Sequence, residues 1–198
     1  MNRKNNYEMQ QNYTRCNTRK ECLVALVSFG KDSTNRLSIA LNRLKVNYKL
    51  VSYDMTPTFI PTHIILSGGP KHVYDSDHYI MPQWVIDAKV PVLGICYGMQ
   101  LIAHTFRGTI RQMPEKEEGL VEITEMINGN QITSGRWMNR NDRVFSVPPN
   151  FHVNGVTSRN HIASFTDYNK WWAVQYHPES VKYGDLSVFR RFFNEKYV

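Results

Sequence analysis

The chain lacks any hydrophobic run long enough to cross a membrane. No apolar run approaches the roughly 18 residues that a membrane span requires, so we expect no membrane contact. The N-terminus has no basic segment followed by an apolar core, so we expect no secretion signal. Cysteine is scarce, and its three copies lack the paired spacing typical of zinc sites or disulfide scaffolds. These absences predict a cytoplasmic protein without a metal site.

Acidic residues are also too few to balance the basic ones, and the net charge is +7 at pH 7. Residues 1–20 carry five basic side chains and one acidic side chain, whereas the rest of the chain is nearly balanced. Because no basic groove with interleaved aromatic residues is evident, a nucleic-acid partner is not expected. We interpret 1–20, which has few aliphatic side chains, as a flexible polar extension. Residues 21–198 then form one domain, large enough for a full hydrophobic core.

Predicted strands and helices alternate over the first half of this domain. We expect strands at 22–29, 48–53, 63–67 and 91–95. We expect helices that begin near 33, where Asp32 or Ser33 can serve as the cap, at 79–88 and from 97. Residues 109–159 are richer in turn residues and charge, with short strands at 120–124 and 143–147. A closing hairpin at 161–165 and 171–176 and a terminal helix at 188–193 follow. This order predicts an α/β fold: an open, mainly parallel twisted sheet with helices on both faces, and a mixed or antiparallel extension.

A cysteine lies where the strand at 91–95 meets the following helix. Gly94, Cys96 and Gly98 form a Gly-x-Cys-x-Gly pattern, which is a nucleophile elbow with cysteine in place of serine. A thiol at a helix N-terminus is close to unpaired N–H groups that favour its thiolate form. Cys96 is therefore a candidate nucleophile, although a free cysteine is also often a small buried apolar residue.

The base that such a nucleophile needs is found near the C-terminal end of the sequence. The predicted strand at 171–176 is followed directly by His177, Pro178 and Glu179. A histidine at a strand end reaches the same sheet edge as the elbow, and a carboxylate two residues later can orient its ring. Cys96, His177 and Glu179 thus match the logic of a nucleophile, base and orienting acid. The other six histidines lack this setting and are interpreted as structural.

A thioester mechanism also needs amide donors for the oxyanion that forms on the substrate. The N–H of Tyr97, directly after the nucleophile, is one candidate. The second comes from the Gly68-Gly69-Pro70 turn, which ends the strand expected to neighbour the elbow strand. A double glycine alone is commonly only a turn, and its value here comes from its position.

Two motifs together resemble one enzyme family. Gly-Ile-Cys-Tyr-Gly-Met-Gln at 94–100 and Ala-Val-Gln-Tyr-His-Pro-Glu at 173–179 are similar to the class I (triad) glutamine amidotransferases. Leu-Ser-Gly-Gly-Pro-x-x-Val-Tyr at 66–74 is most similar to the amidotransferase component of GMP synthases. The resemblance covers residues 22 to about 193, which is essentially the whole predicted domain.

This resemblance implies hydrolysis of the side-chain amide of L-glutamine through a thioester on Cys96, with no metal or organic cofactor. His177 would act as base and acid, Glu179 would orient it, and the backbone amides of Gly69 and Tyr97 would hold the oxyanion. The implied substrate contacts are Gly68, Gly69, Pro70, Gln100, Asn139, Arg140 and Asn141. Because the sequence shows no phosphate loop of the Ser-Gly-Gly-Val-Asp-Ser type, we expect ammonia to pass to a separate ATP-dependent synthetase subunit of the GMP synthase type.

The sequence departs from the family pattern at two places. Where the family reads Trp-Met-Ser-His-Gly-Asp, residues 137–142 read Trp-Met-Asn-Arg-Asn-Asp, so Arg140 replaces a histidine. Ser28 stands where the family usually has aspartate. Because Arg140 lies in the implied substrate site, we expect slow turnover of the isolated chain.

Two alternative functions remain open on the sequence. A γ-glutamyl hydrolase or peptidase would use the same thioester chemistry on a larger substrate. A non-catalytic regulatory relative would keep the fold without turnover, an interpretation that the three candidate triad residues disfavour.

Overall fold

The computed structural model describes residues 21–193, and the polar extension predicted at 1–20 lies outside the described residues. The strands in this range are β1 (Leu23–Ser28), β2 (Asn47–Ser52), β3 (His63–Leu66), β4 (Val92–Ile95), β5 (Thr109–Ile127), β6 (Asn130–Ser146), β7 (His152–Thr157), β8 (Ile162–Thr166) and β9 (Trp171–Val174). The helices are α1 (Lys31–Arg43), α2 (Gln83–Asp87), α3 (Tyr97–Thr105) and α4 (Ser187–Phe192). Within 21–193, no helix is long and apolar enough to span a bilayer.

These strands form one sheet in the order β2-β1-β3-β4-β9-β8-β7-β5-β6. The five strands from β2 to β9 pair in parallel, and those from β9 to β6 pair antiparallel. Helices α1 and α4 cover one face, with Leu37 and Phe189 in its core. Helices α2 and α3 cover the other, with Val85 and Leu101 in its core. The predicted α/β fold with an antiparallel extension is confirmed.

The extension is a much longer hairpin than the short strands predicted at 120–124 and 143–147. Strand β5 has 19 residues and β6 has 17, and they are joined by Asn128 and Gly129 with φ of 51° and 79°. An Asn-Gly pair with both φ values positive is the preferred two-residue hairpin turn. That signal is present in the sequence, but the many charged residues on both sides hide the strands it connects.

Two helix starts also differ from the predictions. Helix α2 begins at Gln83 rather than at residue 79, with Pro82 as its N-cap, because a proline disfavours helical backbone in the residue before it. Helix α1 begins at Lys31 after Gly30, without a side-chain cap. The predicted cap by Asp32 or Ser33 is therefore wrong, and the Ser33 hydroxyl is available for other contacts.

A buried histidine at the start of β3 makes stability depend on pH. His63 is 2% exposed, and its ring lies 5.2 Å and 5.1 Å from the rings of Phe192 and Phe193. Burial lowers the pKa of His63 from 6.5 to about 4. Between these two values the unfolded chain binds a proton that the folded chain does not. The folded state therefore loses stability as the pH falls through this window.

We predict that His63→Leu weakens this pH dependence. Wild type should lose on the order of 2 kcal/mol of unfolding free energy through His63 between about pH 7.5 and pH 5, and the variant should not. Urea unfolding of both proteins at the two pH values measures the difference, and other titrating groups contribute equally to both. An equal loss in the two proteins would contradict the prediction.

Candidate active site

Cys96 connects the buried strand β4 to helix α3 through a strained backbone conformation. Its φ is 52° and its ψ is −105°, a region that residues with side chains rarely adopt. A Cβ added at Gly98 would lie 2.5 Å from the Leu66 carbonyl oxygen, and one added at Gly94 would lie 2.7 Å from the carbonyl carbon and oxygen of Gly98. Both glycines are therefore needed for the strand and helix to pass this closely.

His177 follows β9 and reaches the same edge of the sheet as Cys96. Its Nδ1 lies 2.8 Å from Glu179 Oε1, and both side chains are buried. Its backbone N–H donates to the Trp137 carbonyl at 2.9 Å, which fixes it against β6. Burial alone lowers the pKa of His177, but the charges of Cys96 and Glu179 and hydrogen bonds to both raise this pKa well above 6.5. The surroundings thus favour an imidazolium between two acidic groups.

The Gly68-Gly69 turn at the end of β3 packs against the His177 ring. A Cβ added at Gly68 would lie 3.0 Å from Ser33 Oγ and 3.4 Å from His177 Cε1. The Gly68 N–H donates to Ser33 Oγ at 3.0 Å, and Ser67 Oγ donates to the Gly68 carbonyl at 2.9 Å. The turn is therefore held by the hydroxyl of Ser33, on helix α1, and by that of Ser67, which directly precedes it.

Residues 139–142 of β6 form another wall of the site. The Cys96 thiol donates to the Asn139 carbonyl at 3.7 Å. The Arg140 guanidinium is fully buried and pairs with Glu117 of β5, with 2.6 Å between Nη2 and Oε2. Burial lowers the pKa of Arg140, and the Glu117 charge partly offsets this effect. This buried cation is thus held by the neighbouring strand.

Two further polar contacts close the site. Asp142, which is buried, accepts from His72 Nδ1 at 2.5 Å and from the Tyr74 hydroxyl at 2.8 Å. It thereby ties the segment after the Gly68-Gly69 turn to β6. Buried Gln100 of α3 donates through Nε2 to Gln175 Oε1 at 3.3 Å.

These groups surround a cavity of about 480 Å³, a size typical of small-molecule sites. The predicted site residues that line it are Gly68, Gly69, Pro70, Cys96, Tyr97, Gln100, Asn139, Arg140, Asn141 and His177. Glu179 does not line the cavity itself and contacts Nδ1 of His177. Four exposed or partly exposed cations, Lys31, Arg36, Lys71 and Lys116, also line the cavity. Because Lys71 pairs with Asp77 and Lys116 with Glu118, Lys31 and Arg36 are the cations that favour a substrate with an anionic group. No cluster of residues in 21–193 could hold a metal ion.

Sequence reasoning missed two residues of this site. Ser33 was assigned to a helix cap, yet its Oγ lies 3.3 Å from Glu179 Oε1. Glu117 lies in a polar stretch without a recognisable motif, and only the register of β5 against β6 pairs it with Arg140. Neither contact leaves a signal in the local sequence, because each joins distant parts of the chain.

Known proteins resemble this chain in sequence. Residues 25–195 match the family model for Glutamine amidotransferase class-I. The glutamine-hydrolysing GMP synthase of Histophilus somni is 33% identical over 173 residues, covering 79% of this chain and 33% of that protein. The corresponding protein of Thermotoga petrophila is 38% identical over 136 residues, covering 66% and 27%. The chain therefore spans about a third of the length of these relatives.

Solved structures resemble it in fold. A GMP synthase subunit protein from Thermoplasma acidophilum aligns with a TM-score of 0.78 at 24% identity, over 88% of this chain and 93% of that one. A glutamine amidotransferase from Thermotoga maritima aligns with a TM-score of 0.67 at 15% identity, over 80% and 76%. At these identities the structural likeness supports the fold alone.

The buried ion pair between Glu117 and Arg140 yields a stability prediction. Glu117→Gln leaves the guanidinium buried without an anion, so we expect it to lose about 3 kcal/mol of unfolding free energy. Adding Arg140→Met removes the orphaned charge and should recover most of that loss. Urea unfolding of the wild type, both single variants and the double variant gives the coupling energy. Simple additivity of the two single effects would show that the pair does not couple.

Proposed function

Because this chain belongs to the class I glutamine amidotransferase family, we propose that it is an amidotransferase subunit that hydrolyses the side-chain amide of L-glutamine. One observation carries the proposal: the thiol on the elbow meets a histidine held by a buried glutamate. The cavity beside them suits a molecule the size of glutamine, and its cationic rim suits the α-carboxylate.

In the first half of the reaction, the Cys96 thiolate attacks the amide carbon of glutamine. The carbonyl oxygen becomes an oxyanion, to which the N–H groups of Gly69 and Tyr97 donate hydrogen bonds. The His177 imidazolium, oriented by Glu179, gives its proton to the amide nitrogen. The carbon–nitrogen bond then breaks, ammonia leaves, and the γ-glutamyl group stays on sulfur as a thioester.

In the second half, water replaces the sulfur. The now neutral His177 accepts a proton from water as the water oxygen attacks the thioester carbon. The carbon–sulfur bond breaks, glutamate leaves, and Cys96 returns to the thiolate beside a protonated His177. Because Nδ1 faces Glu179, the other ring nitrogen, Nε2, carries the proton in both halves.

We further propose that the ammonia serves a separate ATP-dependent synthetase of the GMP synthase type. Two relatives are named glutamine-hydrolysing GMP synthases, and the chain matches about a third of each. Both names join glutamine hydrolysis to GMP synthesis, so a synthetase of that type is the acceptor system that we propose for the ammonia released at Cys96.

We predict that Cys96→Ala abolishes glutamine hydrolysis and leaves the folded structure unchanged, since the bond of the thiol to the Asn139 carbonyl is weak and its other partner, His177, stays held by Glu179. Glutamate release measures the activity, and thermal unfolding serves as the control for folding. The chloroketone analogue of glutamine should label wild-type Cys96, as seen in the intact mass. Turnover by Cys96→Ala would remove this residue from the mechanism.

The same assays separate the alternative functions. Faster cleavage of γ-glutamyl peptides than of free glutamine would favour a hydrolase of the same fold. Failure of the chloroketone to label Cys96, even with the partner present, would favour a non-catalytic relative.

We also predict that a co-purified synthetase accelerates glutamine hydrolysis by this chain. The site contains an arginine at the position of the family histidine, and we expect it to be completed only when the partner binds. Purification from the native source, followed by the glutaminase assay with and without the bound protein, measures the effect. Full activity of the isolated chain would contradict this expectation.

A further inference from the structure

We propose that Ser33 is a positioning residue of this site, joining the carboxylate that orients His177 to the glycine turn opposite it. The inference rests on the proposed function and adds to the family motifs a residue from helix α1. Ser33 lies 146 positions before Glu179 and 35 before Gly68, so the fold alone brings the three together.

The chemistry of the three groups fixes the direction of each hydrogen bond. A backbone N–H can only donate and a carboxylate can only accept, whereas a hydroxyl has one proton and two lone pairs. Ser33 Oγ therefore accepts from the Gly68 N–H at 3.0 Å and donates to Glu179 Oε1 at 3.3 Å. Serine thus satisfies both neighbours at once. Ser33 is only 6% exposed, so water competes poorly for either contact.

Ser33 supplies one of the two hydrogen bonds that hold the Glu179 carboxylate. Oε1 accepts from His177 Nδ1 at 2.8 Å and from Ser33. The second oxygen, Oε2, is buried and has no hydrogen-bond partner among residues 21–193. Without the serine, the imidazole would be the sole group that fixes this carboxylate. A carboxylate anchored at one point can rotate, and the ring that it orients would move with it.

The second bond of Ser33 acts on the glycine turn. Because the Gly68 N–H is committed to the serine, the adjacent Gly69 N–H is the amide of the turn assigned to the oxyanion. The hydroxyl of Ser67 holds the Gly68 carbonyl from the other side. Ser33 therefore sets the distance between His177 and the oxyanion donors. Both must act on the same amide group of the substrate.

The start of helix α1 is built to place this hydroxyl. The helix is capped by Gly30 without a side-chain hydrogen bond, so Ser33 is not needed as a cap. The backbone at Gly30 touches the turn directly, because a Cβ added there would lie 3.0 Å from the Gly68 carbonyl oxygen. Thr34 holds the helix start through its bond to the Gly30 carbonyl at 2.8 Å.

Ser33→Ala tests the proposal, with Ser38→Ala as the matched control. Ser38 lies on the same helix and donates to the Thr34 carbonyl, away from the site. Losing a hydrogen bond to a charged group should lower kcat for glutamine hydrolysis about tenfold to a hundredfold. KM should change little, since Ser33 acts on the reacting groups through Glu179. Ser38→Ala should match wild type.

A second readout separates positioning from a general structural role. A loosened Glu179 stabilises the His177 imidazolium less. The pH at which the rate of Cys96 alkylation by iodoacetamide reaches half of its maximum should therefore rise in Ser33→Ala. When Glu179→Gln is already present, adding Ser33→Ala should lower kcat only about twofold further. Thermal unfolding of each variant reports whether the fold is intact.

Three outcomes decide between the possibilities. Wild-type kcat and an unchanged alkylation profile in Ser33→Ala would overturn the role of Ser33 and leave the proposed function standing. Equal effects of Ser33→Ala with and without Glu179 would also overturn it, because the serine would then act independently of the carboxylate. Activity that survives in Cys96→Ala would instead overturn the proposed function itself.

Discussion

The parallel pairing of β4 with β9 is the interaction on which the site depends. Its register aligns Val92 with Trp171 and Ile95 with Val174, and the Cys96 N–H extends it by donating to the Val174 carbonyl at 2.9 Å. Two parallel strands end at the same edge of a sheet. The residues just beyond these ends therefore meet there, although the sequence separates the thiol and the imidazole by 81 positions. A shift of one residue in this register would turn these side chains to opposite faces.

Around this pairing, the site is a set of charges kept away from water. His177, Glu179, Arg140 and Asp142 are all buried, and burying a charge is costly unless a partner compensates it. Each has such a partner: a carboxylate for the two cations, and histidine or hydroxyl groups for the two acids. Low local polarity strengthens these contacts, so the groups are ordered before any substrate arrives.

Features that depend on residues close together in the sequence could be predicted, whereas features that depend on distant parts of the chain could not. The elbow at Cys96 could be predicted because its Gly-x-Cys-x-Gly pattern lies within five consecutive residues, although the close contact that requires Gly98 is with Leu66 of β3. The fold class followed from alternating strands and helices, which local hydrophobic patterns also reveal. The length of the β5–β6 hairpin is hard to predict because charged residues such as Glu125, Arg136 and Arg140 occupy buried positions of these strands, which breaks the expected alternation of apolar and polar residues. The contacts of Ser33 could not be predicted, since they require three separate chain segments to be placed within about 3 Å of one another.

The antiparallel extension is part of the site rather than an appendage to the parallel sheet. In strand β6 the Asn139 carbonyl oxygen lies 3.7 Å from the Cys96 sulfur, and the Trp137 carbonyl accepts a hydrogen bond from the backbone N–H of His177. These two contacts hold the nucleophile and the base against one strand, so their separation depends on where β6 lies. The position of β6 depends in turn on β5, whose irregular register between Gln112 and Glu117 brings Glu117 beside Arg140. The buried arginine is compatible with this position because the neighbouring strand supplies a carboxylate that neutralises it.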